Sequence, residues 1–336
     1  MTLLSYLTKL LHFMPGEISH NIALLGLKFL FKTNLLRFLI SIKGSSNKKT
    51  LNIKINNLSN LKNRLGIAAG LDKNGDYIDC LASLGIGFIE VGTVTPRPQK
   101  GNPKPRIFRN IKEKSLLNRL GFNNKGVDHL VKKLKNRKTA ISVGTSIGKN
   151  FDTPNEMAYK DYLFCLDKVY EFSDYIAVNI SSPNTKGLRQ LSDHDHLDFL
   201  LSNIKSKQNK LSKQHGYKPI FIKISPDESL HNLKNICRSI MDVGLDGVIC
   251  CNTTADHNNK NGLGGISGAP LRNRATEKLI EVKKIIGDII PVIASGGVMS
   301  ALDYQEKIEA GADLVQIYTG FIYEGPKLVE DVLKIS

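Results

Sequence analysis

A chain of 336 residues with 41% hydrophobic content can bury one large barrel or two average domains, which excludes wholesale disorder. Its formal charge of +16 at pH 7 would suit a nucleic acid or an anionic surface, but the lysines are scattered. A solvated lysine face is therefore expected, with no nucleic-acid partner.

Cys80, Cys165, Cys237, Cys250 and Cys251 form no C-x-x-C pair and no cluster with histidine. That pattern argues against a zinc or iron–sulfur site and for buried, inert thiols in a reducing compartment.

The amino terminus begins with an amphipathic helix pattern. Leu3, Leu4, Leu7, Leu10, Leu11 and Met14 share one face, and Ser5, Thr8, Lys9 and His12 the other. Pro15-Gly16 breaks it, and a second apolar stretch runs over 22–40. Lys28, Lys32 and Arg37 interrupt that stretch, so it lacks the ~20 uncharged residues that span a bilayer. No basic n-region or small-residue cleavage site marks a secretory signal. Two readings stay open: a helix pair lying on an anionic membrane surface, or a hairpin docked on the main domain or an oligomer interface. Gly44-Ser45-Ser46-Asn47-Lys48-Lys49 reads as a linker between an extension over 1–45 and a main domain over 46–336.

Beyond the linker, Leu51-Asn-Ile-Lys-Ile55 reads as an extra strand plugging a barrel's bottom. Short apolar runs then recur at Leu65–Ala68, Phe88–Val91, Ala140–Val143, Tyr175–Val178, Ile220–Ile224, Gly247–Cys250, Val292–Ala294 and Leu314–Ile317. Helix-length segments separate them; Leu163, Leu166, Val169 and Tyr170 show helical spacing before the fourth. Eight alternating units predict an α/β fold, a (β/α)8 TIM barrel with an amino-terminal helical extension. A doubly wound open sheet is the runner-up.

The residues just after each run point to function. In order come Gly70-Leu-Asp-Lys73, Gly92-Thr93, Gly144-Thr-Ser146, Asn179 through Asn184, Lys223, Asn252-Thr253, Gly296-Gly297 and Tyr318-Thr319-Gly320. In a barrel, the carboxyl ends of all strands share the face where such enzymes work. Asn179-Ile-Ser-Ser-Pro-Asn184 crowds two carboxamides and two hydroxyls onto one strand end. Asparagines there can read the amide edges of a heterocycle, and a serine can move a proton. Gly262-Leu-Gly-Gly-Ile-Ser-Gly268, Gly296-Gly297 and Gly320 favour a phosphorylated cofactor at the last strands. No early G-x-G-x-x-G suggests a Rossmann site.

Several long blocks resemble one family. They are Ala68-Ala-Gly-Leu-Asp-Lys-Asn-Gly75, Val91-Gly-Thr-Val-Thr-Pro-Arg-Pro-Gln99, Asn118-Arg-Leu-Gly-Phe-Asn-Asn124 and Asn179-Ile-Ser-Ser-Pro-Asn-Thr185. Asn252-Thr-Thr254, Gly264-Gly-Ile-Ser-Gly268 and Val315-Gln-Ile-Tyr318 come later in the same order. The chain is similar to the class 2 dihydroorotate dehydrogenases, the membrane-associated, quinone-reducing class. Its helix pair also looks like that class's extension, which favours the membrane-surface reading.

The resemblance implies FMN at the barrel mouth, oxidation of dihydroorotate to orotate in pyrimidine synthesis, and a membrane quinone as final acceptor. It implies a monomer, peripheral on the cytoplasmic face of the inner membrane, and no metal. Ser182 matches the catalytic base; related soluble enzymes carry cysteine there. A free hydroxyl is a poor base and needs a polarising neighbour or a water path. Without the resemblance, Ser182 could be a turn-capping serine before Pro183, a role that suits Ser181.

Asn118, Asn179, Asn184, Asn252 and Thr253 match substrate-binding positions, as do Arg119, Leu120, Gly121 and Phe122 of the Asn118 block. Lys73 would meet substrate and flavin together. Lys223 would lie near the flavin's pyrimidine ring; its bland alternative is a snorkelling surface lysine. Flavin contacts carry over to Ala69, Gly70, Leu71, Asp72, Thr93, Ser146, Asn179 and Cys251. Gly268, Gly297, Tyr318 and Thr319 would complete them at the phosphate end. Arg109 matches an arginine toward the quinone tunnel. The chain departs from the pattern at Ser146 (usually asparagine), Cys251 (commonly threonine) and Thr319 (serine). Rival readings are a dihydrouridine synthase acting on tRNA and a non-catalytic barrel that binds a phosphate ligand.

Overall fold

The structure, a computed structural model, describes residues 3–39, 58, 61–185, 187–192 and 194–336. In chain order the strands are β1 (Leu65–Ile67), β2 (Phe88–Val94), β3 (Ile107–Asn110), β4 (Ser115–Asn118), β5 (Ser142–Ile147) and β6 (Tyr175–Asn179). They continue with β7 (Ile220–Lys223), β8 (Gly247–Cys250), β9 (Gly265–Gly268), β10 (Val292–Ser295) and β11 (Leu314–Ile317). The eight apolar runs read from the sequence become barrel strands with slightly shifted ends. They are buried on both faces, as parallel strands covered by helices must be. They close in the order β1-β11-β10-β8-β7-β6-β5-β2, all parallel. That closure is the (β/α)8 architecture and sets aside the open sheet.

Large aromatics fill the barrel where neighbouring strands carry glycine. A Cβ on Gly66 would sit 2.4 Å from the Phe88 ring, one on Gly144 2.0 Å from the Tyr175 ring, and one on Gly247 2.5 Å from the Phe221 ring. Phe88, Tyr175 and Phe221 meet edge to face and form one cluster with Leu58 and Leu61. Outside, helices such as Ala158–Val169 cover the strands, burying Tyr162, Cys165, Leu166 and Val169. All five cysteines are buried and free.

Strands β3, β4 and β9 form a separate antiparallel sheet that the apolar pattern of the sequence does not predict. The glycine-rich segment over 262–268 thus contains a strand, paired to β4 from Gly265↔Asn118 to Gly268↔Ser115.

At the amino terminus, α1 (Leu3–Leu10), α2 (Gly16–Lys32) and α3 (Leu36–Leu39) are docked on the barrel. Leu4, Leu24, Leu27 and Leu36 join its core. Glu17 pairs with the buried Arg106, and Lys28 donates to the Asp76 carbonyl (2.8 Å). Phe13 (86% exposed) and Phe38 (83%) nevertheless face outward, with Leu25 and Phe29 also exposed. The pair is both docked and apolar on its free side. No helix among the described residues is long and apolar enough to cross a membrane. The expected linker (44–49), the plug strand (51–55) and the domain division at 45/46 lie outside the described residues.

Candidate active site

Seven of the eight barrel strands, all but β5, bring residues at or just beyond their carboxyl ends to one cavity. Strand β6 delivers Asn179, Ser182 and Asn184, β7 delivers Lys223, and the segment after β8 delivers Cys251, Asn252 and Thr253. Ala69, Gly70 and Lys73 come after β1, and Thr93 lies in β2. The added sheet closes one wall with Asn118 and Gly268, beside Leu120, Gly121 and Phe122. Gly297, Tyr318 and Thr319 complete the far end.

The carboxamides are already ordered by one another. Asn184 Nδ2 donates to Asn118 Oδ1 (3.0 Å), and Asn252 Nδ2 to Asn179 Oδ1 (3.3 Å) and Ser181 Oγ (3.1 Å). Asn179 Nδ2 donates to Thr93 Oγ1 (2.9 Å), which exchanges a hydrogen bond with Ser146 Oγ (2.8 Å). Such a network holds donor and acceptor edges in place before any ligand arrives. Ser182 is buried at the cavity, and its Oγ accepts from the Asn184 N–H (3.3 Å). The turn bond therefore belongs to Ser182 itself, while Ser181 ties into the asparagine network.

Two lysines give the cavity its charge. Burial, with the nearby Arg106 guanidinium, presses the Lys73 ammonium down to about 8. Lys223 is not a snorkelling surface side chain: it is buried, with Nζ 4.0 Å from Glu90 Oε1.

The cavity suits a long, flat, phosphorylated heterocycle. Carboxamides line its middle, and Lys223 reaches it from β7. At the far end the backbone itself forms the wall: Gly268 (φ 95°) and Gly297 (φ 78°) have no room for a Cβ, which would fall 2.2 Å from Lys114 O and Arg272 Cα. Thr319 Oγ1 donates to Ser267 Oγ (2.8 Å) beside them.

A second, apolar cavity lies beneath the helix pair, lined by Leu11, Ala23, Leu27, Ile107 and Phe321. It shares Asn118, Ser267 and Tyr318 with the polar cavity, so the two meet at one wall. Arg109 lines it and clamps the turn between α1 and α2: Nη1 donates to the His12 carbonyl (2.9 Å) and Nη2 to Ser19 Oγ (2.8 Å).

Four expected contacts fall elsewhere. Leu71 lines the apolar cavity. Asp72 turns away and caps a turn, accepting from the N–H groups of Asp76 (2.9 Å) and Tyr77 (2.7 Å); burial pushes its carboxyl up to about 6. Ser146 meets the polar cavity only through Thr93. Arg119 stacks on Phe108 and donates to the carbonyls of Asn261 and Pro105.

His20, Ser267 and Gln316 also line the cavities; Ser267 and Gln316 lie within the Gly264–Gly268 and Val315–Tyr318 blocks without an assigned role, and His20 lies in no block. Burial, with the Lys73 ammonium adding to it, pushes His20 down to about 4. Its helical spacing from the buried Leu24 and Leu27 is the only signal the sequence offers.

A family described as dihydroorotate dehydrogenase matches residues 50–335. A protein of Vibrio parahaemolyticus named dihydroorotate dehydrogenase (quinone) is 51% identical over 280 residues, 81% of this chain and 83% of its own. One of Aliivibrio fischeri with the same name is 46% identical over 327 residues, covering 95% of this chain and 96% of its own. Among solved structures, ligand-free DHODH from Eimeria tenella is similar with a TM-score of 0.82 at 34% identity, covering 95% of this chain and 93% of that one.

Proposed function

The chain belongs to the dihydroorotate dehydrogenase family, and from that premise we propose that it oxidises dihydroorotate to orotate in pyrimidine synthesis and passes the electrons to a membrane quinone. FMN is the flavin proposed for the polar cavity. When bound, it accepts the hydride as a carbon–carbon single bond becomes a double bond.

The remaining work falls to the chain. Ser182 takes the proton from the carbon next to the carbonyl. The Asn184 N–H already donates to its oxygen, which fixes the hydroxyl and leaves its own proton free to point toward a relay. Asn118, Asn179, Asn184 and Asn252, with Thr253, exchange their mutual bonds for the edges of the pyrimidine. Lys73 offsets the substrate carboxylate, and Lys223 favours the negatively charged reduced flavin. Gly268, Gly297, Tyr318 and Thr319 hold the phosphate end.

The apolar cavity is the quinone's route, with Arg109 and His20 on its wall. Helices α1 to α3 rest on the bilayer through Phe13, Phe29 and Phe38, a peripheral attachment at the cytoplasmic face.

One observation carries this reading: Ser182, Lys73, Lys223 and the four asparagines, from separate segments of the chain, line a single cavity. Stopped-flow absorbance tests it. Ser182→Ala should keep its flavin yet bleach with dihydroorotate about 100-fold or more slowly, the usual loss for a removed acid–base group. An unchanged rate would remove Ser182 from the base role.

A further inference from the structure

Inside the barrel, polar side chains meet where apolar packing would be expected. Glu90 of β2 is fully buried (0% exposed). Tyr175 of β6 donates its hydroxyl to Glu90 Oε2 (3.1 Å), and Gln316 Nε2 of β11 donates to the same oxygen (2.7 Å). The other oxygen, Oε1, has no hydrogen-bond partner and lies 4.0 Å from Lys223 Nζ. An unmatched buried acceptor is costly, so its presence in an otherwise close-packed barrel calls for a reason.

The surrounding groups fit an ionised carboxylate. Both hydrogen bonds that reach it are donated to it, and a lysine ammonium lies 4.0 Å from its other oxygen. Burial and Glu90 together hold the Tyr175 proton well above the ordinary phenol range, which keeps Tyr175 a donor. Lys223 and Gln316 line the polar cavity; Glu90 and Tyr175 stand behind them.

We propose that Glu90 is a positioning and charge-balancing residue: its carboxylate offsets part of the Lys223 field and so lowers the reduction potential of the bound flavin. The proposal rests on the reading that a flavin fills the polar cavity above Lys223. An uncompensated ammonium would stabilise the anionic reduced flavin strongly and hold its electrons back. Buried charges are weakly screened, so a carboxylate behind the lysine opposes that effect at the ring itself. A lower potential lets the electrons leave for the second acceptor.

The test is a redox titration of the purified holoenzyme, followed by flavin absorbance. Glu90→Gln keeps the shape and still accepts from Tyr175 and Gln316, but loses the charge. Reduced flavin should then bind about tenfold better relative to oxidised flavin, an upward shift of about 30 mV for a two-electron couple. An unshifted or lowered potential overturns the proposal, because a purely structural carboxyl would leave the potential alone. If Glu90→Gln fails to fold, Tyr175→Phe takes its place. It strips one donor from the same carboxylate, leaves the charge less shielded, and must lower the potential; an unshifted Tyr175→Phe enzyme overturns the idea equally. A wild-type protein without flavin absorbance would instead sink the cofactor reading on which this rests.

Discussion

Lys73 has the sharpest pH consequence at the scale of single residues. Its ammonium is held near 8 by burial and by Arg106. The charged form is the one that offsets a bound carboxylate, so binding is strongest below that value and lost as the lysine deprotonates. Orotate affinity, read from the perturbed flavin spectrum, should be level from about pH 6 to 7.5 and fall about tenfold per unit well above it. A level profile to about pH 10 would detach Lys73 from the substrate carboxylate. His20, pushed down to about 4, stays neutral through this range, so quinone turnover should show no break near the ordinary histidine value. Asn179, Asn184, Asn252 and Ser182 were legible because polar side chains following an apolar strand have few structural uses, whereas Asn118 was legible only through the family block that carries it. Asp72 and Arg119 show a related limit of the letters: sequence adjacency to a site does not tell which way a side chain turns. Asp72 is captured by the N–H groups of Asp76 and Tyr77, and Arg119 by carbonyls and the Phe108 ring.

Among elements, the barrel strands were legible and the lid sheet was not. Eight buried runs each end in a change from apolar to polar residues, and that change is visible in the letters. Strand β3 is only half-buried and mixes Arg109 and Asn110 with its apolar residues, and Gly265–Gly268 carries two glycines in four residues; its ladder to β4 makes it a strand. Glycine also matters within the barrel. Gly144→Val would drive a side chain into the Tyr175 ring, which is fixed by Glu90 and by its aromatic neighbours. Urea unfolding should show a loss of about 1–3 kcal/mol; a wild-type midpoint would mean that the ring can move aside. The helix pair gives a separate expectation. Removing Met1–Ser41 takes away one wall of the apolar cavity but none of the side chains around Ser182. Flavin reduction by dihydroorotate should persist while turnover with a long-chain quinone drops. Normal long-chain turnover in the truncated protein would refute the proposed route.

The whole molecule joins two chemically opposite cavities through a wall of Asn118, Ser267 and Tyr318. A charged pyrimidine suits the polar one and a lipid-soluble acceptor the apolar one, so the two half-reactions need not share a binding place. Separate binding places let reduction by dihydroorotate and reoxidation by quinone alternate without orotate having to leave before the quinone arrives. Anaerobic visible spectroscopy of the purified protein tests the central claim most directly. The protein should be yellow, lose its colour on addition of dihydroorotate, and regain it when a quinone is added without oxygen. A colourless protein, or a yellow one that dihydroorotate leaves unbleached, would contradict it.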